Sequence, residues 1–216
     1  MQHNNLTPCP LCDAVRGYHF SRDAGRSFYR CANCQLVFVP PSQFLSPEVE
    51  KARYDLHEND PSDECYRRFL SRLFTPLSER LVPCSHGLDF GSGPGPTLSL
   101  MFEEAGHAMD IYDPFYAPDP RVFERQYDFI TASEVLEHLH RPREELDRLW
   151  GVLKQGGWLG VMTKRARDAK AFKGWPYKND DTHVIFFSEA TFEWLADRWS
   201  ADLFFEGTDV VLLRKK

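Results

Sequence analysis

Three glycines, Gly91, Gly93 and Gly95, fall directly after the apolar run Gly87-Leu-Asp-Phe90 and directly before a helical stretch that opens at Thr97. Glycine admits sharp backbone turns and lets the main chain approach a ligand with no Cβ in the way. A strand running through such a loop into a helix begins a β-α-β unit, and the rest of the chain keeps that alternation. Strand-like runs at 108–112, 127–131 and 158–162 are separated by a helix at 97–105 and a helix that starts near Pro142 and ends at Gly156. Ser188 caps a last helix that buries Phe192, Leu195 and Trp199, and strands at 202–205 and 210–213 follow. This pattern predicts an α/β fold with a doubly wound, mostly parallel sheet and helices on both faces. Ligands of such sheets bind beyond the carboxyl ends of the strands, so the site is expected to begin at the glycine loop.

The first forty residues read differently. Cys9, Cys12, Cys31 and Cys34 form two C-x2-C pairs separated by eighteen residues. Two cysteines three apart on a tight turn can present both sulfurs to one tetrahedral ion, and two such turns complete its shell; this is the spacing of a four-thiolate zinc site. Pro8, Pro10, Asp13 and Asn33 are turn residues, and 18–20, 27–30 and 36–39 read as short strands, which together predict a small β zinc ribbon. A segment this short has little core of its own, so the metal would largely hold it folded. The alternative, two disulfides in an exported protein, conflicts with the start Met-Gln-His-Asn-Asn, which has neither the basic nor the apolar part of a secretory leader. Zinc and a cytoplasmic location are therefore the expectation. Cys65 and Cys84 are expected to be plain buried thiols. Apolar residues from Tyr66 to Leu81 keep helical spacing, with Pro76 expected to kink or split that helix.

Composition excludes several classes. The 216 residues are 42% hydrophobic and 27% charged, which gives a core, and no run reaches the roughly 18 apolar residues of a membrane-spanning helix. A net charge of −6 argues against a surface built to coat a polyanion. Residues 164–178 nevertheless concentrate Lys164, Arg165, Arg167, Lys170, Lys173 and Lys178 against Asp168, interleaved with Phe172, Trp175 and Tyr177. Such a loop fits an anionic small molecule or RNA stacking on the rings, and its plain alternative is a solvated surface loop.

Three details sort the ligand of the glycine loop. The spacing is G-x-G-x-G; Asp89 lies two residues before the first glycine, where a pyrophosphate would be repelled and an ammonium group would not; and Asp113 ends the next strand, placed to accept ribose hydroxyls. A ligand with a cationic amino-acid tail, a ribose and no phosphate meets all three conditions, and S-adenosylmethionine is such a ligand.

Further segments carry a family resemblance. Asp128-Phe-Ile-Thr-Ala-Ser-Glu-Val-Leu-Glu-His-Leu139, Leu153-Lys-Gln-Gly-Gly-Trp-Leu-Gly-Val161 and His183-Val-Ile-Phe-Phe-Ser188 follow the glycine loop in order. With that loop, the chain over 81–216 resembles the class I S-adenosylmethionine-dependent methyltransferases, in their small-molecule-type branch. The resemblance implies a Rossmann-like sheet with an antiparallel last strand, and a division into a zinc ribbon (1–40), a helical linker or lid (41–80) and a methyltransferase core (81–216). It implies that Gly91, Ser92, Gly93 and Gly95 line the cofactor, that Asp89 faces its amino group, that Asp113 holds the ribose, and that Ala132 and Ser133 close the other side. The family's third strand has little room between Asp113 and Tyr127, so it is expected to be very short or absent.

Methyl transfer needs chiefly a well-placed nucleophile, and a base only where the acceptor starts protonated. His183, in the connection after the fifth strand, is the candidate base, with a loop-anchoring histidine as its alternative. His138 is read as structural and Glu137 as a brace for its helix. Tyr54, His57 and Tyr66 are read as a lid over the site. The expected activity is methyl transfer to an anionic or hydroxylated small molecule. Two alternatives are an RNA methyltransferase docking through Arg16, Arg22, Arg26 and Arg30 of the ribbon, and a non-catalytic zinc-ribbon interaction protein. No membrane partner is expected.

Overall fold

The computed structural model describes residues 8–23, 25–56 and 59–216. In chain order its elements are β1 (Gly17–Asp23), β2 (Arg26–Cys31), β3 (Val37–Phe38), α1 (Pro47–Tyr54), α2 (Glu64–Ser78), β4 (His86–Phe90), α3 (Thr97–Glu104), β5 (Ala108–Tyr112) and β6 (Tyr127–Ser133). Then come α4 (Pro142–Val152), β7 (Leu153–Met162), α5 (Ala169–Lys173), β8 (Ile185–Phe186), α6 (Glu189–Trp199), β9 (Asp202–Glu206) and β10 (Val210–Arg214). Six strands form one sheet in the order β5-β4-β6-β7-β10-β9. The first four are parallel to one another, and β10 runs antiparallel to both its neighbours. This is the expected α/β sheet with an antiparallel last strand. The chain leaves β4 for β5 on one side and β6 lies on the other, so the strand order reverses at the carboxyl end of β4.

Each face of the sheet is covered by a helical stripe. Leu70, Leu73 and Leu77 of α2 cluster with Phe102 of α3 and with Phe129, Met162 and Leu212 of the sheet. Gly160 permits this approach, because a Cβ there would stand 2.9 Å from Leu77 and 3.0 Å from Leu73. Asp63 caps α2, and the helix runs unbroken through Pro76 to Ser78. The bond lost to proline falls in the last turn, so the helix is not split there. On the other face α6 starts from the Ser188–Thr191 capping box and buries Phe192 and Leu195, while Trp199 stacks on Trp150 at 4.5 Å.

The α4 boundary departs from expectation. The helix stops at Val152, not at Gly156, and residues 153–162 are one strand whose pairing with β6 jumps from Tyr127–Leu153 to Phe129–Trp158. The skipped residues instead pair with the end of the chain, Gly156 N donating to Lys215 O at 2.8 Å and Lys215 N to Gly157 O at 2.9 Å. Between β5 and β6 there is a 3-10 turn, Pro120–Glu124, and β5 is the sheet edge, in line with the expected loss of a third strand. Cys65 and Cys84 are exposed, contrary to expectation. Cys65 sits in the first turn of α2 and Cys84 in the turn before β4, both outside the apolar stripes.

The N-terminal strands form a second sheet, β1-β2-β3-β8. Its fourth strand comes from the connection between β7 and α6, with Val37 paired to Phe186 and Phe38 to Ile185. Phe172 of α5 fills the joint, edge-on to Phe20, Phe28 and Phe186 at 5.1–5.4 Å. The described residues include no helix long and apolar enough to cross a membrane.

Candidate active site

The glycine loop is sewn to the end of β5. Gly91 N and Ser92 N donate to Tyr112 O at 2.7 and 3.2 Å, and Gly93 N donates to Asp113 Oδ2 at 3.0 Å. Gly91 has φ +76°, and a Cβ on it would lie 2.4 Å from Val135 Cγ2. A Cβ on Gly95 would lie 2.0 Å from Asn59 O, so the segment before α2 rests directly on the loop. Beyond the loop lies a cavity of about 670 Å3, within the size range of small-molecule sites. Ser92 Oγ lies buried at its wall with no hydrogen-bond partner among the described residues.

Of the residues singled out in the sequence, Gly91, Ser92, Gly93, Asp113, Ser133 and His183 line this cavity. Asp89, Gly95 and Ala132 support it from behind. Asp89 is buried and accepts from Thr131 Oγ1 at 2.7 Å and Ser99 Oγ at 3.1 Å; burial pushes its carboxyl up to about 6 against these two bonds. Asp113 also accepts from Phe115 N and Tyr116 N at Oδ1, so it shapes the β5 turn as well as the glycine loop. Tyr54 and Tyr66 line the cavity, and His57 lies outside the described residues. Glu50 of α1 bonds His140 at 2.8 Å, and Tyr116 donates to Asp55 at 2.7 Å, which fixes α1 along the rim.

The opposite wall is built from residues 134–140 and 177–183. Glu137 is fully buried; Thr163 Oγ1 donates to it at 2.9 Å and the Tyr177 hydroxyl donates to its other oxygen. It does not simply brace a helix. Glu134, held in a left-handed backbone at φ +52°, accepts from Tyr177 at 3.2 Å, while its Oε1 is buried without a partner. Burial, then the charge of Glu137, pushes Glu134 up to about 8, and burial raises Glu137 as well. His183 Nδ1 donates to Tyr177 O at 2.7 Å, and His138 Nδ1 donates to Thr182 O at 3.2 Å. Burial and the neighbouring His138 lower the pKa of His183, which favours the neutral ring.

Sequence reasoning missed Glu134, underread Glu137, and named Tyr177 only as one ring of the basic loop. Their signal is the E-x-x-E-H run at 134–138, which places two acids and a histidine at the carboxyl end of a central strand.

Of the basic loop, Tyr177 lines this cavity but none of its lysines or arginines does, contrary to expectation. The cavity is lined by the carboxylates of Glu50, Asp113, Glu134, Glu137, Glu145 and Asp180 and by no lysine or arginine among the described residues. Arg165 donates to the carbonyls of Val210 and Gly207, and Lys178 is buried against Asp23 of the ribbon. Phe172, Trp175 and Tyr177 pack inward against Phe186. The rings of this loop are turned into the joint with the second sheet, while Lys164, Arg167, Lys170 and Lys173 stay exposed and Arg165 and Arg167 line a separate cleft with Arg30. Arg26, one of the ribbon cations, is spent on the carbonyls of Lys178, Asp180 and His183 at 2.5–3.1 Å.

The four ribbon cysteines converge. Their sulfurs lie within 4.8 Å of one another, with Cys9–Cys34 at 3.5 Å and Cys12–Cys31 at 3.4 Å. Both turns are built alike: Asp13 N bonds Cys9 O and Gln35 N bonds Cys31 O, and Asp13 and Gln35 are both left-handed, at φ 58° and 60°. Burial pushes the Cys31 thiol up, while the hydrogen bond with Cys34 lowers Cys9, so the four sulfurs do not behave alike in the absence of an ion.

Fold and site together define an α/β protein with a ligand cavity at the switch point of its sheet. Residues 62–199 match the methyltransferase domain family, and the chain belongs to that family. No curated protein matches the sequence. Among solved structures the chain is similar to the Burkholderia thailandensis 1,6-didemethyltoxoflavin-N1-methyltransferase, with bound 1,6-didemethyltoxoflavin and S-adenosylhomocysteine, at 16% identity over 93% of this chain and 99% of that one, TM-score 0.53. It is also similar to a SAM-dependent methyltransferase from Thermotoga maritima, at 16% identity over 71% of this chain and 95% of that one, TM-score 0.44. At this identity the first likeness establishes the fold.

Proposed function

We propose that the protein is an S-adenosylmethionine-dependent methyltransferase acting on a small molecule held between the glycine loop and the 134–140/177–183 wall. The observation that carries the cofactor is the buried, unpartnered Ser92 hydroxyl on a glycine loop pinned by Asp113. Gly91, Ser92, Gly93 and Asp113 would hold it, with Gly95 and Asp89 supporting the loop from beneath and Ala132 and Ser133 closing the β6 side. The cofactor supplies a methyl group on a sulfonium, and the surrounding carboxylates favour that positive charge.

The acceptor lies against the Glu134–Glu137–His183 wall, toward which its proton leaves. A cavity rimmed by acids favours a hydroxylated or amine-bearing acceptor over an anionic one. In this reading residues 41–80 close the cavity, and residues 1–40 form a zinc ribbon whose Cys9, Cys12, Cys31 and Cys34 hold a structural ion. That ribbon supports the acceptor wall through β8, and its use of Arg26 for packing weighs against docking on RNA. The test is calorimetric titration of S-adenosylmethionine onto the purified chain, followed by transfer of labelled methyl into fractionated metabolite and RNA pools. Binding with label in a small molecule supports the reading; no binding, or label only in RNA, overturns it.

A further inference from the structure

The acceptor wall carries more chemistry than a proton transfer requires. One ligand atom from each of Glu137, His138 and His183 falls within 4.8 Å of the other two. Donors on opposite sides of an ion at about 2.1 Å stand about 4.2 Å apart, so this set is close to ligand spacing already. The orientation is also prepared. Each histidine points Nδ1 at a backbone carbonyl, Tyr177 O for His183 and Thr182 O for His138. A carbonyl only accepts, so each Nδ1 carries the ring proton and each Nε2 carries its lone pair. This arrangement recurs behind metal-bound imidazoles, where the outer bond fixes tautomer and ring angle.

Glu137 is positioned in the same manner by the hydroxyls of Thr163 and Tyr177, one on each oxygen. Further negative groups surround the set. Glu134 shares the Tyr177 hydroxyl and keeps a buried, unpartnered Oε1, and Asp180 Oδ2 stands 3.8 Å from His183 Nε2. A cation between two carboxyl groups that meet at one hydroxyl would offset their mutual repulsion. No lysine or arginine lines the cavity among the described residues; the positive charge that acts on Glu134 is Lys164, whose Nζ stands 5.1 Å over the Tyr177 ring, outside that lining.

We propose that Glu137, His138 and His183 bind a divalent first-row metal ion whose remaining coordination positions open into the cavity. The mixed imidazole and carboxylate set fits manganese, iron, cobalt or zinc better than calcium or magnesium. The ion would anchor an acceptor through oxygen, which reconciles an acid-rich wall with an oxygen-bearing substrate. This rests on the methyltransferase reading for its purpose, not for its chemistry. It also makes His183 a ligand, where the sequence suggested a base.

Manganese(II) is the probe that separates this site from the ribbon, since it is a poor partner for thiolates. The full chain is titrated with manganese(II) and the free ion is followed by electron paramagnetic resonance, without cofactor. One ion bound per chain, weakened at least tenfold in both His183→Gln and His138→Gln, is the expected result. No binding by the unaltered protein overturns the inference whatever the variants do, and so does binding that neither substitution weakens. Calorimetric binding of S-adenosylmethionine on the same samples is read separately. Cofactor binding without manganese binding sinks this site alone, whereas absent cofactor binding sinks the methyltransferase reading.

Discussion

The two walls of the cavity are assembled by different means. The cofactor-side wall is a continuous stretch, β4 through β5, closed by backbone amides on Tyr112 O and Asp113. The acceptor-side wall joins residues from β6, β7 and the 176–186 connection, and behind them stands the ribbon, which contributes the pairing partner of β8 and the Arg26 contacts. A wall made chiefly of one local motif is damaged chiefly by touching that motif. A wall assembled from distant segments can be damaged from any of them, and that asymmetry is testable.

The largest effect is expected at the local wall. Gly91→Ala places a Cβ against Val135 in a left-handed backbone, and calorimetry should show cofactor affinity reduced about a hundredfold or more. Unchanged affinity would show that the loop is not the binding wall. Next comes the composite wall. Cys31→Ser, which removes a ligand of the proposed ribbon ion, should lower methyl transfer about tenfold or more while cofactor affinity stays within about threefold. Equal losses of both would erase the distinction between the walls.

A finer cut is Tyr177→Phe, which removes the donor shared by Glu134 and Glu137. Loss of a bond to a charged group, about 1.5 kcal/mol, predicts kcat about tenfold lower with the cofactor KM unchanged. Beneath the glycine loop, Asp89 gives a pH signature. Its carboxyl sits at about 6 when folded against an ordinary 3.8, so the folded chain holds the proton more tightly than the unfolded one. The stability this contributes is full below about pH 4, falls as pH rises to about 6, and is absent above. Melting temperatures of the protein and of Asp89→Asn across that window should diverge in slope. The smallest effect is expected at Cys65→Ser, an exposed thiol outside both walls, with stability within about 0.5 kcal/mol by denaturant titration.

What the sequence disclosed follows the same division. The glycine loop, Asp113 and the two cysteine turns are short motifs whose chemistry depends on near neighbours, and their residues come together as spacing implied. The order of strands and helices was legible for the same reason. The fourth ribbon strand was not, because Ile185 and Phe186 form it only by pairing with residues far away in the chain. Phe172 was misjudged because its charged neighbours made a buried joint look like a loop open to ligands. Glu137 was underestimated because nothing in one dimension shows that Thr163 and Tyr177 close around it.

The shared strand also sets an order of events at the ribosome. The edge of β3 is complete once Phe38 has been made, but its partner Ile185 emerges only after about 150 further residues, some ten seconds or so at ordinary rates of synthesis. During that interval the nascent ribbon shows an open strand edge beside Phe28 and Phe38, both of which are covered in the finished molecule. Early capture of the proposed ribbon ion would keep this edge from wandering into other pairings, so zinc starvation should cost yield of folded protein before it costs the turnover of molecules already made.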